Sequence, residues 1–156
     1  MKTLLRACAL AAACITSGTA SAAATDYAIG TDLIRWVDPT QENGMANISF
    51  QKAMGREDAF YMDIAMKDDR YLIGMDYKVY NQRYYYGTFM QMGVLVMIED
   101  GGDSKFGLEG AIGYEYSPFQ DWVLSGAVQM TYGPSHPVRD SDAPWFTPRL
   151  QLMYTF

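Results

Sequence analysis

The chain ends WFTPRLQLMYTF, residues 145–156, and this stretch decides the fold. On an extended strand Phe146, Leu150, Leu152, Tyr154 and Phe156 share one face, while Thr147, Arg149, Gln151 and Thr155 share the other. Final residues of a domain ordinarily fray into water. A strand that carries a ring on its last residue therefore has apolar surroundings to meet on one side and polar ones on the other.

The same period of two runs back through the chain. In residues 121–132, Trp122, Leu124, Val128, Met130 and Tyr132 oppose Ser125, Ala127, Gln129 and Thr131. In residues 105–116, Phe106, Leu108, Ile112, Tyr114 and Tyr116 oppose Gly107, Glu109, Ala111, Gly113 and Glu115. Further segments are 27–37, 44–54, 58–66, 70–79 and 84–98, and none sustains a 3.6-residue period. The connectors DPTQEN, GRE, KDDR, YNQR, EDGGDSK, SPFQ and GPSHPVRDSDAP are turn-rich and mostly short enough for hairpins. The expectation is an all-β, eight-stranded antiparallel up-and-down transmembrane β-barrel, with segments near the ~9–11 residues of a tilted membrane strand. The face of small and charged residues then points inward.

A soluble sandwich also alternates, but it gives no reason for rings to gather at strand ends. Here Tyr27, Tyr77, Tyr84, Tyr86, Tyr114, Tyr116, Trp122, Tyr154 and Phe156 fall at the rim where the chain starts and ends. Tyr71, Phe106, Tyr132 and Phe146 fall at the opposite rim, and aliphatic residues and methionines lie between. Two aromatic belts around an aliphatic band match what a bilayer requires.

With this pattern the chain resembles the small eight-stranded outer-membrane β-barrels of Gram-negative bacteria, the OmpA/OmpX-like architecture, over the whole of residues 23–156. The most specific piece is Leu150, Leu152, Tyr154 and Phe156 at every second position. It is similar to the terminal-strand signal that barrel-assembly machinery recognises in that class. The resemblance implies a cell outer membrane location, contact with outer-membrane lipid and lipopolysaccharide, and both termini in the periplasm.

The amino terminus fits that compartment. Lys2 and Arg6 precede the apolar ACALAAACI, and Ala20-Ser21-Ala22 ends the segment, so residues 1–22 read as a signal peptide and 23–156 as the barrel. Cys14 offers a competing lipoprotein-type processing site. Both cysteines lie in this leader, so the remainder cannot be a disulfide scaffold. Losing Lys2 and Arg6 from 12 basic residues leaves 10 against 18 acidic, a formal charge of −8, which excludes the basic stripe needed for nucleic acid.

An eight-stranded barrel is just wide enough inside for side chains to fill. Alternation points Asp32, Asp63, Asp76, Glu109 and Glu115 inward against Lys67, Arg70, Lys78 and Arg149, a near-balance that implies a paired network. Pairing Tyr116 with Trp122 sets Glu109 opposite Gln129, and pairing Tyr132 with Phe146 sets Gln129 opposite Arg149. Those three then form one inward row. Gly30, Gly74, Gly93, Gly107 and Gly113 on the same face make room for Tyr61, Tyr85 and Phe89 or allow strong coiling.

Enzymatic readings find little support. Ser135, His136, Asp140 and Asp142 include the residue types of an acyl-transfer triad, but Ser135 and His136 are adjacent in a loop bracketed by Pro134 and Pro137. Lipid-A-deacylating barrels carry a His-x-Ser arrangement on a strand, from which this chain departs. A single histidine makes zinc a poor match, and the acidic loop at 99–105 lacks EF-hand spacing. The expectation is a non-enzymatic, monomeric envelope barrel with a polar side-chain core and no cofactor or metal. The alternatives are a minimal porin-like channel for small solutes and a lipid-A-modifying hydrolase centred on His136.

Overall fold

The computed structural model describes residues 26–38, 44–68, 70–99, 104–119, 121–134 and 144–156. The expected signal peptide, Cys14, the acidic tip at 100–103, and Ser135, His136, Asp140 and Asp142 lie outside them. The strands are β1 Tyr27–Asp32, β2 Ala46–Ala53, β3 Asp58–Lys67, β4 Arg70–Tyr80, β5 Gly87–Glu99, β6 Lys105–Phe119, β7 Trp122–Tyr132 and β8 Trp145–Thr155. Each pairs antiparallel with its sequence neighbours, and β8 returns to β1 to close an eight-stranded barrel.

Closure runs from Ala28 opposite Thr155 to Asp32 opposite Gln151. One further backbone bond extends it, from the Phe156 N–H to the Tyr27 carbonyl at 3.0 Å, and the two rings stack with centroids 6.1 Å apart. The terminal aromatic thus covers the seam at one rim.

Two segments depart from simple alternation. The first strand stops at Asp32 and not at Val37, because Asp32 Oδ1 accepts from the Ile34 and Arg35 backbone N–H groups at 3.0 and 3.3 Å. This Asx-type turn competes with continued pairing. The fifth begins at Gly87 and not at Tyr84, because 81–86 form a turn in which Asn81 Oδ1 accepts from Thr88 N–H at 3.1 Å. Gly87 has φ +100°, and a Cβ there would press on Asn81 Oδ1 at 2.8 Å.

Side chains sort by strand parity. Outward, Met90, Met92, Val94, Leu108, Ile112, Leu124 and Val128 are exposed, with Met92 at 73%. Phe106, Tyr132 and Phe146 are exposed at one rim, and Tyr77, Tyr114, Tyr116, Trp122, Tyr154 and Phe156 at the other. Inward, the described residues bury Gln51, Asp63, Asp76, Lys78, Glu109, Glu115, Gln129 and Arg149. The polarity is the reverse of a water-soluble core.

Candidate functional site

The interior is layered along the barrel axis. At the mouth far from the chain ends, Arg70 Nε and Glu99 Oε1 form an ion pair at 3.2 Å, with both side chains partly exposed. Beneath it Met45, Ala65, Leu72, Leu95 and Met97 form an apolar cluster. A large polar layer follows, then a second one around Lys78. At the end nearest the termini, Ala28, Tyr85, Val123 and Met153 pack together with Tyr84 against them, next to Ala59, Tyr80 and Phe89. Apolar side chains thus bound the polar interior at both ends.

The large polar layer centres on Arg149 of β8. Its Nε donates to Asp32 Oδ2 at 3.0 Å, Nη1 to Gln129 Oε1 at 2.8 Å and Nη2 to the Tyr61 hydroxyl at 2.6 Å. Nη2 also lies 3.6 Å from Asp63 Oδ2. Gln129 Nε2 donates to Glu109 Oε2 at 2.6 Å, so Glu109, Gln129 and Arg149 are joined in a chain of hydrogen bonds. Gln151 Nε2 donates to the same Tyr61 hydroxyl, and Gln91 Nε2 donates to Asp76 Oδ2 at 2.9 Å.

The register behind that chain differs from the expected one. Tyr116 lies opposite Leu124, and β6 runs on through a bulge to Phe119 opposite Trp122, where Ser117 Oγ donates to the Phe119 and Trp122 carbonyls. Glu109 consequently faces Thr131 and Gln129 faces Ala111, while β8 is separately offset, with Phe146 opposite Met130, so that Gln129 faces Thr147 and Arg149 faces Ala127. The three side chains meet diagonally because inward residues two positions off register remain within reach of long side chains.

The second layer is the Lys78–Glu115 ion pair, with both side chains 0% exposed. Lys78 Nζ also donates to Gln51 Oε1 at 3.1 Å and lies 3.9 Å from the Phe89 ring centre. The Tyr80 hydroxyl donates to Glu115 Oε2 at 2.7 Å and accepts from Gln51 Nε2 at 2.6 Å. Two polar contacts and an aromatic face compensate the ammonium for its lost water.

Lys67 and Arg70, expected in the interior network, stand partly exposed in the hairpin at the far mouth. The cation that alternation misses is Arg35. It lies within the turn after β1, and its Nη1 donates to Asp63 Oδ2. The Asx turn breaks the parity that would have pointed Arg35 outward; Asp-x-x-Arg at the end of a strand is the signal that could have revealed it. Tyr84, expected in the aromatic belt, is half-buried against the ring of Tyr85, 5.1 Å away, and helps close the barrel end. Tyr85 enters the lumen from a φ of +63°, and burial pushes its phenol above the ordinary range.

Inward glycines clear space for charged groups as well as rings. A Cβ at Gly113 would press on Phe89 Cζ at 2.6 Å, whereas one at Gly74 would collide with Asp63 Oδ1 and Glu109 Oε1. The fold and interior together define a closed eight-stranded β-barrel with an ion-paired polar core and an apolar outer face. Sequence comparison finds no family model and no curated protein that matches the chain.

Proposed function

We propose that the chain is an integral outer-membrane β-barrel with a polar, side-chain-filled interior and a structural role in the cell envelope. The outer face carries the reading. Soluble monomers rarely expose contiguous apolar patches beyond a few hundred Å². This barrel exposes aliphatic residues and methionines around its waist and large rings at both rims, from Phe106 at 74% to Phe156 at 40%. An apolar band between aromatic girdles is the surface that bilayer hydrocarbon and headgroups select. The signal-like residues 1–22 and the alternating Leu150, Leu152, Tyr154, Phe156 terminus support delivery through the periplasm to barrel-assembly machinery, with lipid and lipopolysaccharide as the surrounding partners.

The structural role is favoured over a solute channel by the apolar clusters above and below the polar layers. Water and ions crossing the lumen would have to displace packed side chains at both levels. Envelope fractionation, combined with the migration of unheated and heated samples on gels, tests the location. Outer-membrane recovery with a heat-modifiable band is expected, and recovery as a soluble periplasmic protein would overturn the reading. Planar-bilayer conductance and lipid-A mass analysis on the same protein test the channel and the hydrolase; the expected result is silence in both.

A further inference from the structure

Three carboxylates from three strands, Asp63 of β3, Asp76 of β4 and Glu109 of β6, converge deep in the barrel, with one oxygen of each within 4.8 Å of the others. The residues are only 4%, 2% and 2% exposed. Each commits one oxygen to a donor. Asp63 Oδ2 takes Arg35 and, at 3.6 Å, Arg149; Asp76 Oδ2 accepts from Gln91 at 2.9 Å; Glu109 Oε2 accepts from Gln129 at 2.6 Å. The other three oxygens, Asp63 Oδ1, Asp76 Oδ1 and Glu109 Oε1, are buried without a hydrogen-bond partner.

Buried carboxylate oxygens are ordinarily satisfied, because leaving one bare forfeits its full hydration. Here three go bare together, and glycines hold the space they share. Gly74 stands opposite Asp63, and a Cβ on it would strike both Asp63 Oδ1 and Glu109 Oε1. Gly93 stands between Asp76 and Glu109, and a Cβ on it would strike the Met75 carbonyl first and then Asp76 Oδ1.

Charge counting points the same way. In the two polar layers the acids Asp32, Asp63, Asp76, Glu109 and Glu115 meet the cations Arg35, Lys78 and Arg149, which leaves those layers two positive charges short. Uncompensated charge at such depth is costly. A single shared proton would bridge one carboxyl pair and leave the third oxygen bare.

We propose that Asp63, Asp76 and Glu109 form a binding site for one divalent cation, held through Asp63 Oδ1, Asp76 Oδ1 and Glu109 Oε1. An oxygen-only set with no nitrogen or sulfur selects a hard ion. All three oxygens lie within 4.8 Å of one another, a spread that ligands of Ca²⁺, bound at about 2.3–2.6 Å, can span. Gln91, Gln129 and the two arginines act as positioning residues that aim the free oxygens, the outer-shell role that sharpens metal sites. The ion ties β3, β4 and β6 together across the lumen. The site needs only the closed barrel, so it stands or falls apart from the membrane reading.

Because apolar side chains bound the polar interior at both ends, the ion is loaded during refolding. Protein comprising residues 23–156 is refolded in detergent with MnCl₂, freed of unbound metal and assayed by electron paramagnetic resonance after acid release. One Mn²⁺ per barrel is expected, suppressed when CaCl₂ competes during refolding. Glu109→Gln and Asp76→Asn should each weaken retention at least about ten-fold. Gly74→Ala, which keeps every charge and fills the shared space, should also weaken it. Folded wild-type protein that retains no Mn²⁺ would overturn the proposal, as would retention that none of the three substitutions alters. A protonated-carboxyl infrared band in Ca²⁺-refolded wild type, lost in Glu109→Gln, would overturn it in favour of a shared proton. Should the variants fail to fold, wild-type retention and Ca²⁺ competition decide alone.

Discussion

Arg149 of β8 donates its Nε to Asp32 Oδ2 of β1 at 3.0 Å, so a buried ion pair bridges the two strands that close the barrel. Asp32 Oδ1 also accepts from the Leu150 N–H at 3.2 Å, which ties the same carboxylate to the backbone of β8. Arg149→Leu strands Asp32 without its cation, leaves Asp63 to Arg35 alone and takes the guanidinium from the Gln129–Glu109 pair. Breaking a buried pair by removing one partner costs about 3–5 kcal/mol. The expected outcome is loss of the heat-resistant band at a clearly lower temperature, read on gels and by thermal unfolding. An unchanged transition would show that the seam does not depend on this pair.

Lys78 and Glu115 give a separable test of the second layer. Lys78→Met leaves Glu115 buried with only Tyr80 as donor and should cost about 3–5 kcal/mol. Adding Glu115→Gln removes the orphaned charge and keeps an acceptor for Tyr80, so the double variant should recover most of the loss. Denaturant midpoints of the two single variants and the double variant, refolded side by side, measure the coupling. Additive losses would mean that the pair contributes no coupling.

How much of this was legible beforehand follows from which rules are local. Alternation in residues 105–116, 121–132 and 145–156 marks the strands, their inward faces and the ring-bearing rims, since parity needs no partner. Register is non-local. The bulge between Tyr116 and Phe119 moves Glu109 from Gln129 to Thr131, and turn counting had no means of seeing it. Arg35 was hidden for a related reason, because a hydrogen-bonded turn at Asp32 ended the strand on which its orientation was being counted. The carboxylate cluster was least visible of all. Asp63, Asp76 and Glu109 have no motif spacing, and only barrel closure with Gly74 and Gly93 between them brings their oxygens together.

The apolar outer face makes a prediction that depends on depth. Val128 sits near the middle of β7 and is 55% exposed, while Tyr132 lies at its end. In a bilayer, arginine at the midplane of a barrel costs about 2–4 kcal/mol and near the interface about 0–1 kcal/mol. Val128→Arg should therefore destabilise strongly and Tyr132→Arg weakly in lipid vesicles, measured by reversible unfolding in urea. Equal and small effects would mean that water, not hydrocarbon, surrounds the strand.

The terminal phenylalanine separates assembly from stability. In the folded barrel Phe156 contributes one backbone hydrogen bond to Tyr27 and a stacked ring pair, and the residue is 40% exposed. Aromatic pairs of this kind contribute about 0.5–1.5 kcal/mol, small beside the buried network around Arg149. Deleting Phe156 should therefore leave protein refolded in detergent nearly as resistant to heat as the full chain. In cells the same deletion removes the last element of the Leu150, Leu152, Tyr154, Phe156 pattern, and the amount reaching the outer membrane should fall several-fold, with the remainder degraded in the periplasm. Quantitative immunoblots of membrane fractions, set beside melting curves of the refolded protein, read both quantities. A normal membrane yield would remove the assembly role from Phe156, and a collapse of stability in detergent would assign it to the seam instead.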